Sequence, residues 1–125
     1  MNKTIMTAGL LCLSAVFSLA QGAELSYTSD PDTAYTSVLN QLKKDGFEIA
    51  SASKDAGIQT APVTVGRFKQ TNTYIRLTLL PEEKRFRVVV YGAWRMTPGS
   101  PWSPVKANED KAAATVLKLK DELHW

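Results

Sequence analysis

Cysteine is almost missing from this chain. The only one among its 125 residues is Cys12, and it lies inside an apolar run near the N-terminus. A disulfide framework, a thiol nucleophile and a cysteine metal site are therefore all excluded from the rest of the sequence. Histidine is equally scarce. His124 stands alone, one residue from the end, with no neighbour that could orient it as a general base. Zinc-ligand spacings, Gly-rich phosphate loops and nucleophile elbows are absent too. The carboxylates fall where structure uses them: Asp30 and Asp110 at helix starts, Asp55 in a turn, Glu82 and Glu83 at a hairpin tip. No enzyme is expected from this inventory, and no cofactor or metal.

A long hydrophobic run is also lacking. Ile5–Phe17, preceded by Lys3, is shorter than the roughly 20 apolar residues a membrane-spanning helix needs. It has the length of the apolar segment of a secretory signal, and Ser18-Leu19-Ala20 places small side chains for cleavage after Ala20. Ala20-Gln21-Gly22 offers a second cut, so the mature chain would start at Gln21 or Ala23. Residues 1–20 read as a signal peptide and 24–125 as a single α+β domain, periplasmic or secreted, with no transmembrane segment. Leu10-Leu11 before Cys12 is too bulky for a lipid-attachment signal.

Net charge is only +3, but it is unevenly spread. Between residues 67 and 95 stand seven cations (Arg67, Lys69, Arg76, Lys84, Arg85, Arg87 and Arg95) against Glu82 and Glu83 alone. All five arginines lie in that stretch, so the domain should be electrically lopsided.

The periodicities give an order α-β-β-β-β-α. Asp30 caps a helix that Pro31 opens, and Tyr35, Val38, Leu39 and Leu42 form one apolar stripe before Gly46. Phe47, Ile49 and Ser51 begin an alternating strand. Asp55-Ala56-Gly57 reads as a hairpin loop, which sets Lys54 against Ile58, Ile49 against Val63 and Phe47 against Val65. Pro62 requires a bulge or an open side in the second strand. Gln70-Thr71-Asn72 reads as a turn into the clearest hairpin. There, pairing Leu80 with Arg85 sets Leu79 on Phe86, Leu77 on Val88 and Ile75 on Val90. Residues 96–107 form a loop with three prolines and Trp102. Asn108 caps a last helix with Ala112, Val116, Leu119 and Leu123 as its buried seam. The expected fold is α+β, a mostly antiparallel four-stranded sheet with two helices on one face.

The uncovered face then presents Tyr74, Arg76, Thr78, Arg87, Val89, Tyr91 and Arg95. Tyrosine and arginine are enriched at binding hot spots, because each joins a large contact area to directed hydrogen bonds. Tyr74, Arg76, Arg87, Tyr91, Arg95 and Trp102 are the candidate binding residues, and an envelope protein with an acidic patch is the candidate partner. As plain solvated surface, the same face would serve solubility and edge protection. Trp102 either plugs the end of the core or anchors a partner.

Residues 35–60 resemble a pattern of small envelope proteins, in which a helix ending in Gly-Phe leads through one strand to a second opened by Gly-Ile. With Leu39, Leu42, Gly46, Phe47, Ile49, Gly57 and Ile58, the segment is most similar to the helix-grip modules of the outer-membrane assembly lipoprotein C of Gram-negative bacteria. That resemblance implies a non-catalytic, protein-binding role in the cell envelope. The chain departs from the family in having no lipidation cysteine. The order of elements and residues 111–119 also resemble double-stranded-RNA-binding domains. Those place a basic cluster where Glu109-Asp110 stand here, so no nucleic-acid partner is expected. Besides an adaptor, a secreted inhibitor or immunity protein using the 96–107 loop and a small-ligand or lipid binder with a cavity fit the composition.

Overall fold

The computed structural model describes residues 22–125; the expected signal peptide, residues 1–20, lies outside the described residues. The described residues are α+β, with two helices and one antiparallel sheet of seven strands. In chain order these are β1 (Ala23–Ser26), α1 (Pro31–Lys44), β2 (Ile49–Ser53), β3 (Gly57–Thr60), β4 (Val63–Val65), β5 (Gln70–Leu80), β6 (Arg85–Arg95), β7 (Lys106–Ala107) and α2 (Glu109–Leu123). The sheet runs β1-β6-β5-β3-β2, with β4 pairing the far end of β5 and β7 the far end of β6.

The central hairpin has the expected register. Leu80 faces Arg85, Leu79 faces Phe86, Leu77 faces Val88 and Ile75 faces Val90. Pro81–Glu83 makes one 3-10 turn, and Lys84 takes a left-handed conformation to reverse the chain. Both helix starts are also as read. Asp30 accepts the Thr33 N–H, Asn108 accepts the Lys111 N–H, and Gly46 sits at φ +96 beyond α1. The core joins Tyr35, Val38 and Leu42 of α1 and Ala112, Val116 and Leu119 of α2 to Ile75, Leu77, Leu79, Phe86, Val88 and Val90. Leu39 and Leu123 pack at its margin. The sheet residues in this cluster alternate along β5 and β6 and so come from one face, here called the inner face.

Several expectations are corrected. The sheet has seven strands instead of four, because three short segments pair at the ends of longer ones. β1 precedes the first element expected from periodicity; its Ala23 and Leu25 lie opposite Val88 and Phe86 and complete the core at the sheet's edge. β7 pairs with Tyr91 and Gly92 out of what looked like pure loop.

The first hairpin is shifted. Ala52, not Lys54, faces Ile58, and Ile49 faces Thr60 across a bulge. Its turn is Lys54–Ala56, held by the Ser53 hydroxyl, which accepts the N–H groups of Asp55 and Ala56. Gly57 is a strand residue at φ +111, where an added Cβ would stand 2.0 Å from the Leu77 carbonyl oxygen. The glycine serves close approach of β3 to β5 as well as the bend. Val63 and Val65 do not meet Ile49 and Phe47. Pro62 ends the pairing with β2, and the chain moves across to β5, setting Val63 against Thr73 and Val65 against Thr71. Finally, Gln70–Asn72 is strand, and the turn lies earlier, around Gly66 at φ +109.

Candidate functional site

The outer sheet face is built by the odd-numbered residues of β6 and the even-numbered residues of β5. Tyr74 pairs with Tyr91, Arg76 with Val89, Thr78 with Arg87 and Gln70 with Arg95. The sheet therefore brings together all five of the strand residues singled out in the sequence. Their rings and charges are arranged in two parts.

At one end the Tyr74 and Tyr91 rings stack, with centroids 5.1 Å apart and planes 25° from parallel. The Arg95 guanidinium lies 4.3 Å from the centre of the Trp102 ring, and its Nε donates to Gln70 Oε1 at 2.7 Å. Stacking on an indole and a fixed amide acceptor leave the guanidinium with one orientation. Trp102 is half-buried, so the 96–107 loop folds back towards the sheet here. Ser103 secures it by a reciprocal pair of bonds. Its N–H donates to the Trp94 carbonyl at 2.7 Å, and its hydroxyl accepts the Trp94 N–H at 3.0 Å. Between Tyr74 and Trp102 lies a half-open cleft of about 240 Å³, whose other walls include Pro62, Ala93 and Val105.

At the other end the charge is partly neutralised. Arg85 pairs with Glu24 at 2.7 Å and with Glu83, and Arg87 approaches Glu24 at 4.0 Å. Glu24 reaches them because β1 lies alongside β6, with Glu24 opposite Arg87. Arg87 thus lies near a carboxylate without a hydrogen bond to it. Arg76 is exposed and forms no salt bridge among the described residues. The strongest uncompensated charge on this face is therefore Arg76 and Arg95, flanking the tyrosine pair.

Sequence reasoning missed Glu24, Gln70 and the docking of β1. The signal for β1 was present in four residues, Ala23 and Leu25 alternating with Glu24 and Ser26. His124 is an exposed left-handed cap at the end of α2. Its successor Trp125 turns back so that its ring lies 5.9 Å from that of Tyr27, which in turn tilts against Phe86 at 5.5 Å. Burial pushes the Tyr27 hydroxyl above the ordinary tyrosine range, and nearby Asp30 adds to the effect. Among the described residues no group of three His, Cys, Asp or Glu could hold a metal ion. None of their helices is long and apolar enough to cross a membrane.

Compared with protein-family models, with curated proteins and with solved structures, the chain finds no match.

Proposed function

We propose that this is an exported, non-catalytic adaptor of the cell envelope that binds an acidic surface of another protein through its outer sheet face. In this reading both helices lie on the inner face; on the outer one Val89 is buried and Arg76 beside it stays exposed. The observation that carries it is the pairing of the Tyr74–Tyr91 stack with the Arg95–Trp102 stack on one rigid sheet, with exposed Arg76 beside them. Orienting aromatic and guanidinium groups before a partner arrives lowers the ordering entropy lost on binding. The cleft between Tyr74 and Trp102 would take an apolar side chain of the partner, and the arginines its carboxylates. The resemblance of residues 35–60 to an envelope assembly module points to the same class of role. Trp102 lies against Arg95, so an inhibitor acting through the loop would use this same surface.

The test is affinity capture from envelope extract by wild type and by Arg76→Glu/Arg95→Glu, each first shown to be folded by circular dichroism. Wild type should retain a protein with an acidic surface, and rising salt should weaken the capture. The double variant should lose it, and Glu82→Lys, at the far hairpin tip, should not. Equal capture by the double variant and wild type would leave the outer face as solvated surface.

A further inference from the structure

β5 and β6 are each 11 residues long, but α2 buries its seam only from Ala112 onward. The last covered row of the inner face is Ile75–Val90. Two further rows, Thr73–Gly92 and Thr71–Trp94, continue the sheet beyond it. β4 widens this uncovered end, since Val63 and Val65 stand opposite Thr73 and Thr71 on the same face. They are 47% and 60% exposed, and Trp94 is 48% exposed, which is unusual for side chains on the core side of a sheet.

The result is a trough with two compartments. One, of about 380 Å³, runs between the sheet and α2 and is mainly apolar, walled by Val63, Val65, Phe47 and Ala114 over Ile75 and Val90. The other, of about 490 Å³, lies under the 103–108 segment and is mixed, with Thr71, Ser103, Asn108 and Lys106 around Trp94 and Gly92. Thr73 and Lys111 line both, so the compartments meet at these two residues. Gly92 keeps the floor low; a Cβ there would have no atom nearer than 3.6 Å. The charge in the trough is of one sign. Lys106 and Lys111 line it, and Lys69 stands over the Trp94 ring at 5.6 Å. No carboxylate lines either compartment, and among the described residues none of these lysines forms a salt bridge. Glu109 and Asp110, at the start of α2, are exposed outside it.

We propose that this trough binds a small anionic amphiphile, a single acyl chain lying against Val63, Val65 and Phe47 with its acid group held by Lys111 and Lys106. Each compartment has the size of an ordinary small-molecule site, apolar in the main with a few convergent polar groups. An apolar wall alone would suit many occupants. A cationic mouth joined to it selects a molecule that carries an anion at one end. Tyr74 borders the trough as well as the outer cleft, but Arg76, Arg95 and Trp102 line neither compartment, so variants at those residues separate the two sites.

The experiment is a calorimetric titration of the purified protein with dodecanoate, well below the concentration at which dodecanoate forms micelles. One equivalent should bind. Dodecanol and dodecylammonium should bind at least about ten-fold more weakly, as expected for loss of a charge-assisted contact. Val65→Asp, at a 60% exposed position where the fold tolerates a charge, and Lys111→Glu should each weaken dodecanoate by a similar factor. Arg76→Glu should leave it unchanged. Equal affinity for dodecanoate, dodecanol and dodecylammonium overturns the proposal. So does dodecanoate binding that neither Val65→Asp nor Lys111→Glu alters, because it places the amphiphile elsewhere on the chain. A concentration-dependent dimer that dissolves in Val65→Asp also overturns it, by assigning the apolar wall to a second copy.

Discussion

Thr60 carries a hydroxyl in a place where a hydrocarbon would ordinarily sit. It is 1% exposed, the one buried polar side chain within the core region of the described residues, and its Oγ accepts the Ile75 N–H at 2.8 Å. The bond has a local cause. The ladder along β5 breaks after the Gln59–Arg76 pair and resumes at Val63–Thr73, and Ile75 lies in the gap beside Thr60. The side chain supplies the missing rung. Thr60→Val keeps the shape and removes the acceptor, leaving a buried N–H unpaired at a cost of about 1–3 kcal/mol. Thr60→Ser should cost less, since the hydroxyl remains. Urea unfolding of the two variants checks the order; equal losses would mean that the methyl group matters and the bond does not.

At the scale of elements, the two helices meet through a pair of acids. Glu122 near the end of α2 lies close to Asp45 at the end of α1, and Glu122 Oε1 and Asp45 Oδ2 are buried without a hydrogen-bond partner among the described residues. Burial, then the neighbouring Asp45 carboxyl, raise the Glu122 carboxyl above the ordinary carboxylate range, against a smaller opposing effect from Lys118. A raised carboxyl binds its proton more readily in the folded state. The folded protein is therefore favoured as pH falls into the window between the ordinary and the raised value, and loses that advantage as pH rises through it. Asp30 works in the opposite sense. Hydrogen bonds from Thr33 lower its carboxyl, so its contribution is present above the ordinary value and lost in stronger acid. Glu122→Gln should raise the melting temperature at neutral pH and flatten its dependence in the mildly acidic range, as followed by thermal melts across pH. A flat profile in the wild type would contradict the raised Glu122 carboxyl.

The elements themselves were largely legible in the sequence. Both helices, their caps and the register of the central hairpin follow from periodicity and turn chemistry, because each is specified within one contiguous segment. What escaped was decided by partners far along the chain. Gly57 looks like a turn residue until the Leu77 carbonyl is placed against it, and Val63 looks like a partner for Ile49 until Pro62 diverts it to Thr73. The candidate face was legible for the same reason as the hairpin: strict alternation puts Tyr74 beside Tyr91 once Leu80 meets Arg85. Its true charge was not, because Glu24 arrives on a strand of four residues whose partner lies on the other side of the domain's sequence.

That same strand governs the molecule as a whole in time. β5 and β6 close across the short turn at Pro81–Lys84, whereas β1 must bring Ala23 to Val88 over most of the chain. Contacts between distant segments carry a larger loop-closure entropy and form late unless strongly favoured. β1 should then be absent from the folding transition state, with the hairpin already formed in it. Leu25 is fully buried, so Leu25→Ala should cost about 2–5 kcal/mol, and the loss should appear almost wholly as faster unfolding. Leu77→Ala, in the hairpin, should instead slow folding. Stopped-flow rates across denaturant concentrations separate the two, and a Leu25→Ala variant that folds as slowly as Leu77→Ala would reverse the order of events. The half-life of the native state is then set at the N-terminal edge, where four residues hold a strand that joins late and leaves early.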